Sequence, residues 1–251
     1  MRIIISPAKK MNIDTDNLPW LSLPEFISNT AEILSSMQNL DYNALKNLWK
    51  CNDQLAQLNY ERINNMDLYA MLSPAILAYE GIQYQYMGPG VFTTQELDYI
   101  QNHLRIISGF YGILRPFDGV SPYRLEMQAK LQVGKSKDLY AYWGNKLANK
   151  LSSESDCIIN LASKEYSLAV SKHLSQSTNF ITCVFAEEQN GKLIEKGTMC
   201  KMARGEMVRY MAENQILNAE KIKNFDRLNF IYSPQHSKSD KYVFIKENQA
   251  K

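Results

Sequence analysis

The chain has 251 residues and a mass of 28.9 kDa, with 45% apolar and 22% charged residues, an ordinary globular composition. It excludes a disordered, collagen-like or coiled-coil protein. No apolar run approaches the roughly 18 residues of a membrane span, and the N-terminal apolar stretch is too short for a signal peptide. We therefore expect a cytoplasmic protein with no membrane partner. The four cysteines form no C-x-x-C pair, so we expect free thiols.

The net charge of +2 conceals an uneven distribution along the chain. Residues 1–102 carry 6 Lys and Arg against 11 Asp and Glu, whereas residues 103–251 carry 22 against 15. The densest stretch, residues 103–150, has 8 basic and 3 acidic residues. Such a local excess creates an anion-attracting surface on a nearly neutral protein, and the alternative is an ordinary solvated lysine surface.

Hydrophobic periodicity, capping residues and turn residues predict the elements of the first half of the chain. They are a strand at residues 2–6, a helix opened by Ser22 and Glu25, helices at 41–50 and 52–64, a buried strand at 74–79 (PAILAY), and a helix from Thr94 to about 107. The two helices that flank Cys51 form an αα-hairpin.

The same signals predict the second half of the chain. The elements are a helix at residues 138–151, a buried strand at 157–161 (CIINL), a helix from about Ser163, a hairpin of 180–187 with 192–198, a helix at 201–214, and a last hairpin of 228–232 with 241–246. Together they predict a mixed α/β (α+β) fold, a single domain over residues 1–251 with a central, mostly buried sheet and surrounding helices. We expect strands 2–6, 74–79 and 157–161 to pair in parallel.

Polar residues follow two of the buried strands at the points where these strands end. They are Ser6, Lys9 and Lys10 after the first strand, and Asn160, Ser163 and Glu165 after the CIINL strand. Ligands of open α/β sheets bind at the carboxyl ends of strands, so both segments are expected to face one cleft. Ser163 also opens a helix, whose free N–H groups favour an anion. The alternative is that Ser163 is an ordinary N-cap.

Two closely spaced glycines, Gly109 and Gly112, follow the predicted helix that ends near residue 107. Such glycines allow tight turns whose N–H groups approach a phosphate, as in a helix–hairpin–helix module. Flanking positive charge comes from Arg105, Arg115 and Arg124. The commoner meaning of this spacing is a helix C-cap followed by a turn, and the αα-hairpin around Cys51 is an alternative position for the module.

Lys201 and Arg204 lie three residues apart, so a helix places them on one face, where Arg204 can bind phosphate or carboxylate bidentately. The alternative is an amphipathic surface helix. We expect segments 6–10, 123–126, 160–166 and 201–204 to converge in space, because each is polar and adjoins a buried element.

Six motifs occur in order along the chain: SPAK at 6–9, HLRIISGFYGILRPFD at 103–118, PYRLEM at 122–127, KDLYAYWG at 137–144, NLASKEY at 160–166 and ARG at 203–205. On these motifs the chain closely resembles the YaaA family of bacterial proteins, also called DUF328 or UPF0246. The resemblance implies a role in peroxide stress and in limiting iron-driven damage, DNA binding and recombination-type repair. It also implies an α/β fold with a positively charged cleft and a helix–hairpin–helix element. One departure lowers the positive charge, since Met202 stands where the family usually has a second lysine.

Two functions compete. The first is a cytoplasmic protein that protects DNA from peroxide and iron-driven damage by binding duplex or branched DNA with little sequence specificity, without an obligate protein partner. Its predicted DNA or anion contacts are Lys9, Lys10, Arg105, Gly109, Gly112, Arg115, Tyr123, Arg124, Asn160, Ser163, Lys201 and Arg204.

The second function is an enzyme that acts on an anionic or nucleotide-like substrate. Its cleft is built from Lys9, Arg124, Glu126, Asn160, Ser163, Glu165 and Arg204. Glu126, Glu165 and Lys9 are the candidate catalytic groups. A small cleft with mutually bonded carboxylates and guanidinium groups favours the enzyme, whereas a wide groove lined only by Lys and Arg favours DNA.

Direct iron handling is a third hypothesis, and it has less support. The three histidines, His103, His173 and His236, are scattered without a metal-ligand motif, so no metal and no cofactor are expected. A cysteine sensor at Cys183 and Cys200 is a minor alternative. No thiol has an evident low-pKa setting, so we expect no catalytic consumption of peroxide.

Overall fold

The computed structural model describes residues 1–247 of the chain. Within these residues the α-helices are α1 (Ile27–Gln38), α2 (Tyr42–Trp49), α3 (Asp53–Asn64), α4 (Ala75–Ala78), α5 (Ile82–Met87), α6 (Thr94–His103), α7 (Leu139–Trp143), α8 (Lys146–Glu154), α9 (Lys164–Ser171) and α10 (Gly197–Glu213). The β-strands are β1 (Arg2–Ile5), β2 (Lys10–Met11), β3 (Ser73–Pro74), β4 (Tyr79–Glu80), β5 (Leu104–Ser108), β6 (Gly112–Leu114), β7 (Gly119–Val120), β8 (Cys157–Leu161), β9 (Asn179–Gln189), β10 (Lys192–Ile194), β11 (Phe230–Tyr232) and β12 (Lys241–Lys246). No helix in this part of the chain is long and apolar enough to cross a membrane.

The centre of the protein is a sheet of eight strands in the order β11-β12-β9-β8-β1-β5-β6, with β10 paired to β9. The five strands from β12 to β5 run parallel, whereas β11, β6 and β10 are antiparallel to their neighbours. The three isoleucines of β1 are fully buried, which is typical of a parallel strand covered on both faces. The predicted mixed α/β fold with a central buried sheet and surrounding helices is confirmed.

The carboxyl ends of β1 and β8 lie at a topological switch point. After β1 the chain next enters this sheet at β5, on one side of β1, and after β8 it continues to β9, on the opposite side. Where neighbouring strands send their connections in opposite directions, a crevice opens beyond their carboxyl ends. Ser6 follows β1 and Ser163 follows β8, so both stand at this crevice.

Two predictions around the central strands were wrong. Residues 74–79 do not form a strand beside β1: they contain the short helix α4, because a brief buried apolar run does not distinguish strand from helix. Strand β5 lies beside β1 instead, although the sequence predicts most of its residues as the end of a helix. Helix α6 instead stops at His103, and all five residues of β5 are buried in the sheet.

Several smaller boundaries also differ from prediction. Gly144, at φ +49°, ends α7 and divides the helix predicted over 138–151. Ser22 does not open a helix, because its hydroxyl donates to Asp118 and α1 begins only at Ile27. The strand predicted over 192–198 ends at Ile194. Both the αα-hairpin of α2 and α3 and the hairpin at residues 190–191 are confirmed.

Helices α5 and α10 cross at backbone contact, and Gly205 makes this possible. A Cβ added at Gly205 would lie 2.2 Å from the carbonyl oxygen of Gln83 and 3.0 Å from the amide nitrogen of Met87. Only a residue without a side chain allows this approach. The crossing brings Arg204 beside α5, at the edge of the crevice described above.

We expect Gly205→Ala to lower the free energy of unfolding by about 1–3 kcal/mol or more, because the added methyl group meets backbone that moves only with α5. Urea unfolding measures the change. Gly197→Ala is the matched control in the same helix, since no atom lies within 4 Å of its added Cβ. Equal stabilities of the two variants would contradict this account of the helix crossing.

Candidate functional site

A cavity of about 510 Å³ opens at the carboxyl ends of β1 and β8, and we call it the central cleft. Its lining comprises residues 6–10 and 80–84 together with Ser163, Glu165, Tyr166, Lys201 and Arg204. A narrow recess lined by residues 7–9, 123–126 and Tyr166 adjoins it. The predicted convergence of segments 6–10, 123–126, 160–166 and 201–204 is therefore confirmed.

Ser6 and Ser163 join the two strand ends at the floor of the central cleft. The amide nitrogen of Ser163 donates to Ser6 Oγ at 2.8 Å, and Ser6 Oγ donates to Ser163 Oγ at 3.2 Å. Tyr84 donates its hydroxyl to the carbonyl oxygen of Ser6 at 3.0 Å. Ser163 occupies the N-cap position of α9, yet its side chain accepts no bond from the first turn. The first-turn N–H groups therefore lack a side-chain cap at the end of the helix that favours anions.

Asn160 lies behind the wall of the central cleft, not in its lining. Its Oδ1 accepts from the amide nitrogen of Ala162 at 3.0 Å, and its Nδ2 donates to Thr182 Oγ1 at 3.2 Å. The side chain is buried, so its polar atoms are committed to these two bonds. Asn160 therefore shapes the turn that carries Ser163, and it does not line the central cleft.

Glu126 is held by two cations at the mouth of the recess. Lys9 Nζ lies 2.7 Å from Glu126 Oε1, and Arg124 Nη2 lies 3.9 Å from the same oxygen. The side chain of Lys9 remains 64% exposed, so solvent screens this ion pair and Lys9 is free to turn toward another anion. The pair thus forms a movable boundary rather than a fixed structural bridge.

Glu165 is the second carboxylate of the site, and its pKa is raised. Burial raises the pKa, and the nearby charge of Glu126 raises it further, while bonds from the backbone of Gln128 and Met127 and the charge of Lys9 oppose the shift. The amide nitrogen of Gln128 donates to Glu165 Oε1 at 3.2 Å. Glu165 therefore takes up a proton at a higher pH than an exposed glutamate does.

Three buried donors at the site have no acceptor anywhere in residues 1–247. They are Nε of Arg124, Nε of Arg204 and Nε2 of Gln83, and Gln83 is only 7% exposed. Within the same residues no carboxylate forms an ion pair with Arg204. An unsatisfied buried donor costs free energy, so the internal hydrogen bonding of the protein is incomplete at this site.

The lining of the central cleft mixes charges and carries an excess of positive charge. Four cations line it, namely Lys9, Lys10, Lys201 and Arg204, against the two carboxylates of Glu80 and Glu165. Lys10 is paired with Glu80 at 2.6 Å, and that pair is exposed. The cleft is thus small and contains carboxylates, unlike a wide groove lined only by Lys and Arg.

Several residues predicted to contact DNA are used inside the protein. Arg105 is 5% exposed, and its Nε donates to Glu154 Oε2 at 2.9 Å. Tyr123 is buried with its hydroxyl bonded to Tyr79 and Ser108, and burial raises its pKa to about 12. These two side chains are buried and bonded inside the protein. They belong to the core, where burial and internal partners decide their geometry.

Gly109 and Gly112 do not form a helix–hairpin–helix turn, and that prediction was wrong at this position. They lie in a tight, buried turn that joins the antiparallel strands β5 and β6. Gly112 has φ +75°, and a Cβ there would lie 2.8 Å from the ring of Trp143. Arg115, the flanking cation, bonds Asp118 and Ser22 away from the central cleft.

Sequence reasoning missed the contribution of helix α5, which supplies Gln83 and Tyr84 to the central cleft. The prediction of a sheet strand over residues 74–79 leaves the polar residues after it unassigned to the site. The available signal was Glu80-Gly81 directly after a buried run, the same pattern that identified Ser6 and Ser163.

The thiols and metal-ligand residues give little support to redox chemistry at this site. Burial raises the pKa of Cys183 to about 12 and also raises that of Cys200, whose thiol donates to the carbonyl oxygen of Phe185 at 3.2 Å. Such thiols are protonated at neutral pH and are slow nucleophiles. Residues 1–247 contain no group of three or more His, Cys, Asp or Glu side chains arranged to hold a metal ion.

Comparison with known proteins extends the motif-based resemblance over almost the whole chain. A family described as peroxide stress protein YaaA matches residues 1–236. A UPF0246 protein of Agathobacter rectalis is 54% identical over 244 residues, which cover 97% of this chain and 98% of the relative. UPF0246 proteins of Pediococcus pentosaceus and Lactiplantibacillus plantarum are 53% and 50% identical, with coverage of 98% of this chain and 98% and 99% of the relatives.

We expect sulfate to bind the central cleft more tightly as the pH falls through the raised pKa of Glu165. Protonation removes one negative charge from the lining, whereas sulfate keeps its double charge. Glu165→Gln should bind sulfate more tightly than the wild type near pH 8 and should lose most of the pH dependence. Isothermal titration calorimetry measures both effects.

Glu61→Gln, on the exposed surface of α3, is the control for this titration and should keep the wild-type profile. A wild-type sulfate affinity that does not change with pH would contradict the assignment, and so would equal slopes for the wild type and Glu165→Gln.

Proposed function

The chain belongs to the YaaA peroxide stress family, also named UPF0246, and we propose that it acts in the cytoplasm. We propose further that it binds a phosphate-bearing, nucleotide-like ligand in the central cleft. The observation that carries the proposal is the guanidinium group of Arg204, which lines this cavity without any carboxylate partner in the described part of the chain. A positive group held in this way supports recognition of an anion that comes from outside the protein.

Three features favour phosphate as that anion. Arginine presents a planar fork of donors that matches phosphate oxygens bidentately. The uncapped first turn of α9 opens on the same cavity through Ser163, and free helix N–H groups bind phosphate. Lys9 and Lys201 add positive charge from two further sides of the lining.

The two glutamates give the site a means of proton transfer. Glu126 forms ion pairs with Lys9 and Arg124, whereas burial raises the pKa of Glu165. Two carboxyl groups whose environments differ in this way can divide the roles of base and acid. We assign Glu165 to proton transfer with a bound ligand, Glu126 to pairing with Lys9 while no anion is bound, and Lys9 and Arg204 to holding the anion.

Binding to the phosphate backbone of DNA is the second candidate function. Exposed lysines at the rim favour it, since Lys10, Lys130 and Lys201 surround the cavities at this end of the sheet. Such contacts give weakly sequence-dependent affinity that falls steeply with salt, for duplex and branched DNA alike. In this proposal the lysines and Arg204 make the contacts, and Arg105 and Tyr123 support the core.

Replacement of Arg204 tests the proposal. Arg204→Ala should weaken the binding of inorganic phosphate about tenfold or more, because a charged hydrogen bond contributes roughly 1.5–3 kcal/mol. Arg209→Ala is the matched control in the same helix, since Arg209 is already paired with Glu213 at 2.8 Å. Calorimetry gives the affinities, and thermal unfolding shows that both variants are folded. Equal phosphate affinity in the wild type and Arg204→Ala would refute the assignment.

A further inference from the structure

A second cavity of about 500 Å³ adjoins the central cleft at the Lys9–Glu126 ion pair, and we call it the Trp49 pocket. Its lining comes from Lys9 and from residues of the segments 40–50 and 126–130. Lys9 also lines the central cleft and the recess, and Glu126 also lines the recess. One exposed, movable lysine therefore stands where the three spaces meet.

The wall of the Trp49 pocket is apolar, with a single unsatisfied polar group. Leu40, Ala44, Leu48 and Ala129 supply aliphatic surface beside the indole of Trp49. Trp49 is 3% exposed, and its Nε1 has no acceptor among residues 1–247. Trp143 shows the usual arrangement, since its Nε1 donates to the carbonyl oxygen of Gly109 at 3.0 Å. A buried indole N–H normally has such a partner.

The rim of the Trp49 pocket is polar and positively charged. Lys50 and Lys130 are exposed there, and Asn47 and Gln128 contribute amide groups. A concave apolar wall with a few polar groups is typical of a small-molecule site. Its aliphatic and aromatic surface suits a flat ring, and its lysines suit an attached anion.

We propose that the Trp49 pocket binds the base of an unpaired nucleotide whose phosphate lies in the central cleft. The inference rests on the proposed function for the phosphate half of the ligand. Lys9 leaves Glu126 and turns to the phosphate, and the base packs against the aliphatic wall. The ligand thereby occupies both cavities.

This placement sets a preference among nucleic acids. A base in a duplex must leave its stack to enter a pocket, which costs a few kcal/mol, whereas a free nucleotide or an unpaired base in a strand does not bear this cost. Two sources therefore supply an unpaired base with its phosphate: a free mononucleotide and a single strand. Duplex DNA without unpaired bases binds only through its phosphates, to the lysines of the rim and Arg204.

The experiment compares adenosine monophosphate, ribose 5-phosphate, adenosine and inorganic phosphate by calorimetry on the full chain. The wild type should bind adenosine monophosphate at least tenfold more tightly than ribose 5-phosphate. Ala44→Trp, which fills the Trp49 pocket from half-exposed α2, should abolish this ratio and leave phosphate affinity unchanged. Trp49→Phe, which leaves a smaller ring and less apolar surface in the wall, should reduce the ratio several-fold. Trp20→Phe, at an exposed tryptophan outside both cavities, should not change it.

The outcomes separate this inference from the proposed function. Equal affinities for adenosine monophosphate and ribose 5-phosphate in a wild type that binds phosphate would overturn the base pocket alone. Adenosine binding that is lost in Ala44→Trp, without any phosphate binding, would support the pocket and overturn the proposed function. A further titration with a short single strand and the matching duplex identifies the source. Tighter binding of the duplex, unaffected by Ala44→Trp, would overturn the inference.

Discussion

The parallel pairing of β1 with β8 is the constraint on which the candidate site depends. It sets Ser6 beside Ser163, and the Ser6 hydroxyl accepts a hydrogen bond from the amide nitrogen of Ser163. Both strand ends open on the same crevice. The chain leaves these strands toward opposite sides of the sheet, so no connection fills the space between them. Residues more than 150 positions apart, such as Ser6 and Ser163, thereby act as one surface. The groups of α9 and α10 that we propose to bind an anion lie together at this crevice.

Close packing then turns the crevice into a site with unsatisfied groups. Gly205 lets α10 approach the backbone of α5, and this approach places Arg204 and Gln83 on one wall. Elsewhere the protein compensates its buried charge internally: Glu154 binds Arg2 and Arg105, and Asp118 binds Arg115. At the central cleft that compensation is incomplete for Arg204. The contrast within one molecule is the reason to assign the cleft, and not the basic stretch 103–150 as a whole, to ligand binding.

The elements that could be predicted from the sequence were those with strong local signals. The isoleucines of β1, the CIINL strand with Ser163 after it, and the capped hairpin of α2 and α3 all depend on neighbours in the chain. The strand β5 could not be separated from α6, because its apolar residues also fit a helical period and only their burial in the sheet decides. Likewise charge counts treated Arg105 and Lys201 alike. One lies in the core against Glu154 and the other lines the cleft, a difference that arises from tertiary contacts alone.

The central claim is that an anion binds Arg204 and its neighbours at the switch point, and NMR of arginine side chains tests it most directly. The chain has eight arginines, so their Nε–Hε signals can be assigned individually by substitution. During titration with phosphate, the signals of Arg204 and Arg124 should shift strongly, because their Nε groups have no acceptor in the described structure. The signals of Arg2 and Arg105, which are bonded to Glu154, should remain in place. Shifts confined to arginines outside the cleft, or no shift at saturating phosphate, would contradict the account.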